Sequence, residues 1–195
     1  MGLDQYLYRK TYLGYDDKQN IREALGKETY RKEKNIPEGF KLPPALRDTL
    51  EKLEKCAEYN EEVAYWRKAN MLHGWFVRNC QSIREDIEIK VTYQDLVNLL
   101  KDINEVLENT VLETGQVHIG TTFTNEGIEE KYEEGLIVKD SSVAEELLPT
   151  TQGFFFGSYD YDEYYVMDLK DAKEKLEKVI NESNEDDEFL YYASY

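Results

Sequence analysis

Between Ile87 and Leu107 the apolar residues recur first at every second position and then at every third or fourth, and the change falls at Thr92. Ile87, Ile89 and Val91 alternate with Glu88 and Lys90, which reads as a strand with one buried face. Leu96, Leu99, Leu100, Ile103, Val106 and Leu107 then trace the stripe of an amphipathic helix. Thr92, with an acid three residues on at Asp95, supplies the N-cap of that helix. A chain that holds both periods in adjoining segments is neither all-α nor all-β.

The rest of the chain repeats this mixture. Residues 3–10, with Leu3 and Leu7 among Tyr6 and Tyr8, and residues 189–195, FLYYASY, read as strands at the two ends. Asp16 or Asp17 can cap a helix carrying Ile21, Ala24 and Leu25. Pro43-Pro44 opens another with Leu46, Leu50, Leu53 and Ala57 inward. In residues 61–80 the positions Trp66, Ala69, His73, Val77 and Cys80 fit one helical stripe. Val117 to Thr124 and Leu136 to Lys139 are strand candidates, and a short helix between Ser141 and Leu148 stops at Pro149. Asp160 or Asp162 starts a long helix with Val166, Leu169, Leu176, Val179 and Ile180 inward. The expected fold is α+β: one domain over 1–195, an antiparallel or mixed sheet with helices packed on one side, a charged loop at 28–42 and an acidic variable segment at about 110–140. Three phenylalanines between Gly153 and Gly157 imply a buried extended stretch or tight turn, with at least one ring nearly enclosed.

Charge is distributed unevenly along the chain. The formal charge is −17, and residues 1–100 are balanced at 17 basic and 17 acidic side chains, so the whole excess lies in residues 101–195. Residues 126–146 alone carry eight acids against Lys131 and Lys139. Glu126, Glu129, Glu130, Glu133 and Glu134 are the densest run, and they are the candidate partner-binding residues. A field of this sign repels nucleic acid and attracts a basic protein surface. The alternative reading of the same acids is solubility.

No apolar run approaches the roughly 18 residues of a membrane span, and MGLDQYLYRK lacks the apolar core of a secretory signal. An intracellular chain is the expectation, with Cys56 and Cys80 as reduced structural thiols. Neither a nucleophile elbow nor a glycine-rich phosphate loop occurs. His73 and Cys80 lie seven residues apart, too far along one helix to share a hydrogen bond. Asp160, Asp162 and Asp168 lack the glycine and terminal Glu of a Ca²⁺ loop, so no metal and no cofactor is expected. The same acids disfavour an anion site at Gly157-Ser158 and favour helix capping. The remaining constellation is Trp66, Arg67, Asn70 and His73, in which a Trp wall, a cation and two polar side chains could hold a nucleotide-like ligand. The alternative for these is a hydrogen-bonded histidine at a core edge and tryptophans that pack.

Three segments, MGLDQYLYRKTY at the start, YWRKANMLHGWF at 65–76 and ELLPTTQGFFFGSYDYDEYY at 146–165, resemble a family of small proteins of bacteriophages and prophages. Similar proteins sometimes carry a phosphoglycerate kinase label, for which this chain has no phosphate loop. The resemblance implies a phage setting in the host cytoplasm and no catalytic residue. Joined to the acidic run, it leads to a non-enzymatic accessory protein that binds or inhibits a host factor with a basic surface, such as a defence nuclease or another nucleic-acid-binding protein. A small-ligand binder using the Trp66 to His73 region is the alternative, and a small enzyme acting on phosphorylated substrates comes third.

Overall fold

A computed structural model describes residues 2–12, 58–124, 127–153 and 156–195. Two compact units are present: Met1–Arg9 with Glu62–Tyr195, and Lys10–Glu61. The expected helices after Asp16 and Pro43, the loop at 28–42 and Cys56 lie outside the described residues.

The described elements are strands β1 (Asp4–Tyr12), β2 (Glu58–Arg67), β3 (Gln81–Arg84), β4 (Glu88–Thr92), β5 (Leu112–Thr124), β6 (Gly127–Val138) and β7 (Glu188–Ser194). The helices are α1 (Asn70–Asn79), α2 (Tyr93–Asn109), α3 (Ser142–Leu147) and α4 (Glu163–Asn181). Five strands form one sheet in the order β2-β1-β7-β4-β3, and β5 and β6 form a separate two-stranded ribbon. The architecture is α+β, as the mixed periodicity requires. Among the described residues no helix is long and apolar enough to cross a membrane.

The two ends of the chain meet in the middle of the sheet. β7 pairs antiparallel with β1 on one side and β4 on the other, so that Tyr191 stands opposite both Leu7 and Ile89. Because side chains alternate across a strand, Leu3, Gln5 and Leu7 share one face with Ala64, Trp66, Ile89, Val91, Phe189, Tyr191 and Ala193, and all of these are buried. Helices cover that face. α2 packs on α4, α3 and β4, while α1 lies on β4. The Phe76 ring of α1 stacks on Tyr191 at 4.3 Å. On the opposite face Tyr6 meets Tyr65 at 5.1 Å and Tyr192 at 6.2 Å.

Local signals set the helix ends. Thr92 and Asp95 form a reciprocal capping box: the Thr92 hydroxyl accepts from the Asp95 N–H, and the Asp95 carboxylate accepts from the Thr92 N–H. Asp162 caps α4, its Oδ1 accepting from the N–H groups of Tyr164 and Tyr165 at 2.9 and 3.0 Å.

Two readings of the sequence are corrected. Trp66 belongs to β2, not to a helical stripe with His73, because the chain turns at Lys68 with φ 62° before α1 begins. A left-handed residue interrupts any helix running through it. The strands expected at 117–124 and 136–139 also extend much further, joining into a ribbon that pairs from Leu112↔Val138 to Thr124↔Gly127.

Candidate functional site

The ribbon carries the acidic run. Glu129, Glu130, Glu133 and Glu134 all lie on β6 and all are exposed; Glu126 lies outside the described residues. Strand alternation divides them, with Glu129, Lys131 and Glu133 on one face and Glu130, Tyr132 and Glu134 on the other. Two of these residues on the same face are therefore about 14 Å apart along the strand, at about 3.4 Å per residue. None of the four makes an ion pair among the described residues. Glu130 accepts a hydrogen bond from the Tyr132 hydroxyl at 2.6 Å. Near its base the ribbon is tied to the segment before α4, where the Val138 N–H donates to the Tyr161 carbonyl and Ile137 bridges Asp162. Gly135 leaves room there for Val117, whose methyl lies 2.7 Å from the place a Cβ would occupy.

The second constellation does not assemble. Trp66 is buried in the core, and Arg67 projects from the far face of the sheet toward Asp4 at 3.9 Å. Asn70 is buried and committed to backbone: its Nδ2 donates to the carbonyls of Phe156 and Ser158, and its Oδ1 accepts from the Thr151 N–H. It fastens Thr151, Phe156 and Ser158 to the start of α1. Gly157, at φ 98°, sits there with Lys68 atoms only 3.2–3.3 Å from a would-be Cβ, a position that suits glycine on both counts.

Of the four, His73 lines one open cavity and Asn70 lines a smaller, separate one. The His73 cavity, of about 410 Å³, lies between α1 and residues 151–153 and 156, and His73, Arg78, Asp86, Thr151, Phe156 and Tyr195 are among its lining residues. His73 Nδ1 shares a hydrogen bond with the Tyr191 hydroxyl at 3.1 Å. Burial holds the imidazole below its ordinary pKa, with Asp86 opposing, so it is neutral near pH 7. Phe156, nearly enclosed as the sequence requires of one ring in that segment, meets His73 edge-on at 5.4 Å and Tyr195 at 5.0 Å. Gly74 makes the close approach possible, since the Thr151 hydroxyl occupies the place a Cβ would take. Arg78, Thr151 and Tyr195 carry no motif in the sequence. The cavity joins α1, the β3–β4 turn, a loop and the chain end, and no local spacing encodes that meeting. Trp75 is a packing residue whose Nε1 donates to Asp102 at 2.8 Å.

A smaller cavity of about 250 Å³ opens beside the α4 N-terminus and is lined by Lys68, His118, Ser158, Asp160, Asp162 and Asp168 among others. Burial raises the Asp162 carboxyl, against the lowering effect of its two backbone hydrogen bonds, and its Oδ2 is enclosed without a partner among the described residues. Burial, then Asp171 and Asp162, push Asp168 up to about 6, with Lys175 opposing. Among the described residues no three His, Cys, Asp or Glu side chains are placed to hold a metal ion. Cys80 is a free thiol pushed up to about 12 by burial and then by Asp95, and a thiol so raised is a poor nucleophile.

Comparison with protein-family models, with curated proteins and with solved structures gives no match.

Proposed function

We propose that the protein is a non-enzymatic binder that engages a basic protein surface through the acidic β5–β6 ribbon. The observation that carries this reading is the ribbon itself, with four exposed carboxylates on both faces of a two-stranded element and none of them ion-paired among the described residues. Carboxylates that stabilise a fold are ordinarily paired or used as caps, as Asp95 and Asp162 are here. A narrow ribbon charged on both faces can enter a groove lined by Lys and Arg and meet both walls, where a flat acidic patch would meet one. The partner class is a host protein whose basic surface serves nucleic acid, such as a defence nuclease. The setting is that of a phage accessory protein in the host cytoplasm, as the resemblance of the three segments implies.

The test is a matched pair of charge reversals. In one variant Glu129, Glu130 and Glu133 become Lys; in the other Asp171, Glu174 and Glu177 on α4 become Lys, giving the same net charge. Capture of host proteins on immobilised wild-type chain should yield a partner that the ribbon variant loses and the α4 variant keeps. Equal loss in both variants would reduce the effect to net charge and end this reading.

A further inference from the structure

The 410 Å³ cavity is a second site, independent of the ribbon. Its volume falls within the range of small-ligand sites, about 300–1,000 Å³. Two opposite charges line it without neutralising one another: Arg78 makes neither an ion pair nor a hydrogen bond among the described residues, although Asp86 lines the same cavity. The planar fork of the Arg78 guanidinium suits a phosphate. Asp86 is held on the β3–β4 turn at φ 59°, next to Glu85 at φ 32°. Two consecutive non-glycine residues in the left-handed region strain the turn that presents this carboxylate. The edge-to-face rings of Phe156 and Tyr195 line the same cavity. His73, its Nδ1 engaged by Tyr191, also lines the cavity.

We propose that this cleft binds a nucleoside monophosphate, with its phosphate on Arg78, its base against Phe156 and Tyr195, and its ribose hydroxyls on Asp86. An anion alone would leave the aromatic wall and Asp86 without a role. An apolar ligand alone would leave both charges without one. A free aromatic amino acid also carries both signs of charge, and it is the competitor the experiment must exclude.

The experiment is calorimetric titration of the full chain with AMP, GMP, CMP and UMP, with adenosine, inorganic phosphate, phenylalanine and tyrosine as comparisons, and with imidazole NMR as a second readout. The chain has two histidines, His73 and His118, and they lie in different cavities. At least one nucleotide should bind with Kd below about 1 mM and shift the His73 resonances while leaving those of His118 in place. Arg78 is exposed, so Arg78→Gln should fold as wild type; it should weaken the nucleotide about tenfold or more and leave adenosine unchanged. The proposal is overturned if none of the four nucleotides binds at about ten times that concentration. It is overturned equally if His118 shifts in place of His73, if Arg78→Gln binds like wild type, or if phenylalanine or tyrosine binds as tightly as the nucleotide. These outcomes leave the ribbon reading untouched, because no ribbon residue lines the cleft.

Discussion

Replacing Asp168 by Asn should stabilise the protein, and by an amount that depends on pH. Asp168 is mostly buried on α4, makes no hydrogen bond among the described residues, and has its carboxyl raised from 3.8 to about 6 by burial and by Asp171 and Asp162. A carboxyl raised on folding binds a proton in the folded chain at pH values where the unfolded chain has already lost it. Stability therefore falls as pH rises from about 4 to about 6 and stays reduced above that. At about 1.4 kcal/mol per pKa unit the full cost is about 3 kcal/mol, and partial exposure of the side chain trims it to about 2. Asn keeps the shape and removes the charge. Urea denaturation of both proteins should show Asp168→Asn more stable by about 2 kcal/mol at pH 8 and by about half that at pH 5. No gain at pH 8, or the same gain at both pH values, would refute the reasoning, since either means that ionisation of a buried carboxylate is not what the fold opposes.

Four other predictions follow from the packing. Thr92→Ala removes one half of a reciprocal cap and should cost about 1 kcal/mol in urea denaturation, with Thr92→Ser close to wild type. Asn70→Ala should cost about 3 kcal/mol, because two carbonyls and one N–H lose a partner together; a loss under about 1 kcal/mol would mean that Thr151, Phe156 and Ser158 are held by other contacts. Phe156→Ala should cost about 3–5 kcal/mol by opening a cavity beside His73 and Tyr195, read as a lowered denaturation midpoint. In a Cys56→Ala background, Cys80 should react with a thiol reagent at pH 8 far more slowly in the folded chain than in guanidinium, and equal rates would contradict its burial.

What the sequence disclosed was whatever its chemistry settles within a few residues. The capping box at Thr92 and Asp95, the Asp162 cap, the stripe of α2 and the short helix before Pro149 each rest on contacts four or fewer positions apart. β3 gave no signal because all four of its residues are exposed, so no alternation of apolar side chains marks it. Trp66 was open to two readings: its spacing from Ala69 and His73 is helical, but Ala64 and Trp66 also alternate with Val63, Tyr65 and Arg67, and pairing with β1 decides for the strand. The length of the ribbon was hidden for the related reason that much of it faces water, so its period is invisible where Glu follows Glu. The cleft around Arg78 depends on residues from 73 to 195, brought together only by the sheet and by Asn70. The raised carboxyl of Asp168 likewise depends on where the segment before α4 settles, and no pattern within α4 predicts it.

Binding of a basic partner through the ribbon carboxylates, as proposed, is tested most directly by the salt dependence of affinity. With the captured partner in hand, calorimetry at about 50 and 300 mM salt should show affinity falling steeply for wild type, as the Debye length shortens. The Glu129→Lys, Glu130→Lys, Glu133→Lys variant should show no measurable binding at either salt concentration while denaturing in urea as wild type does. An affinity that does not change with salt, shared by wild type and the triple variant, would contradict the claim and leave the ribbon acids as solubilising charge.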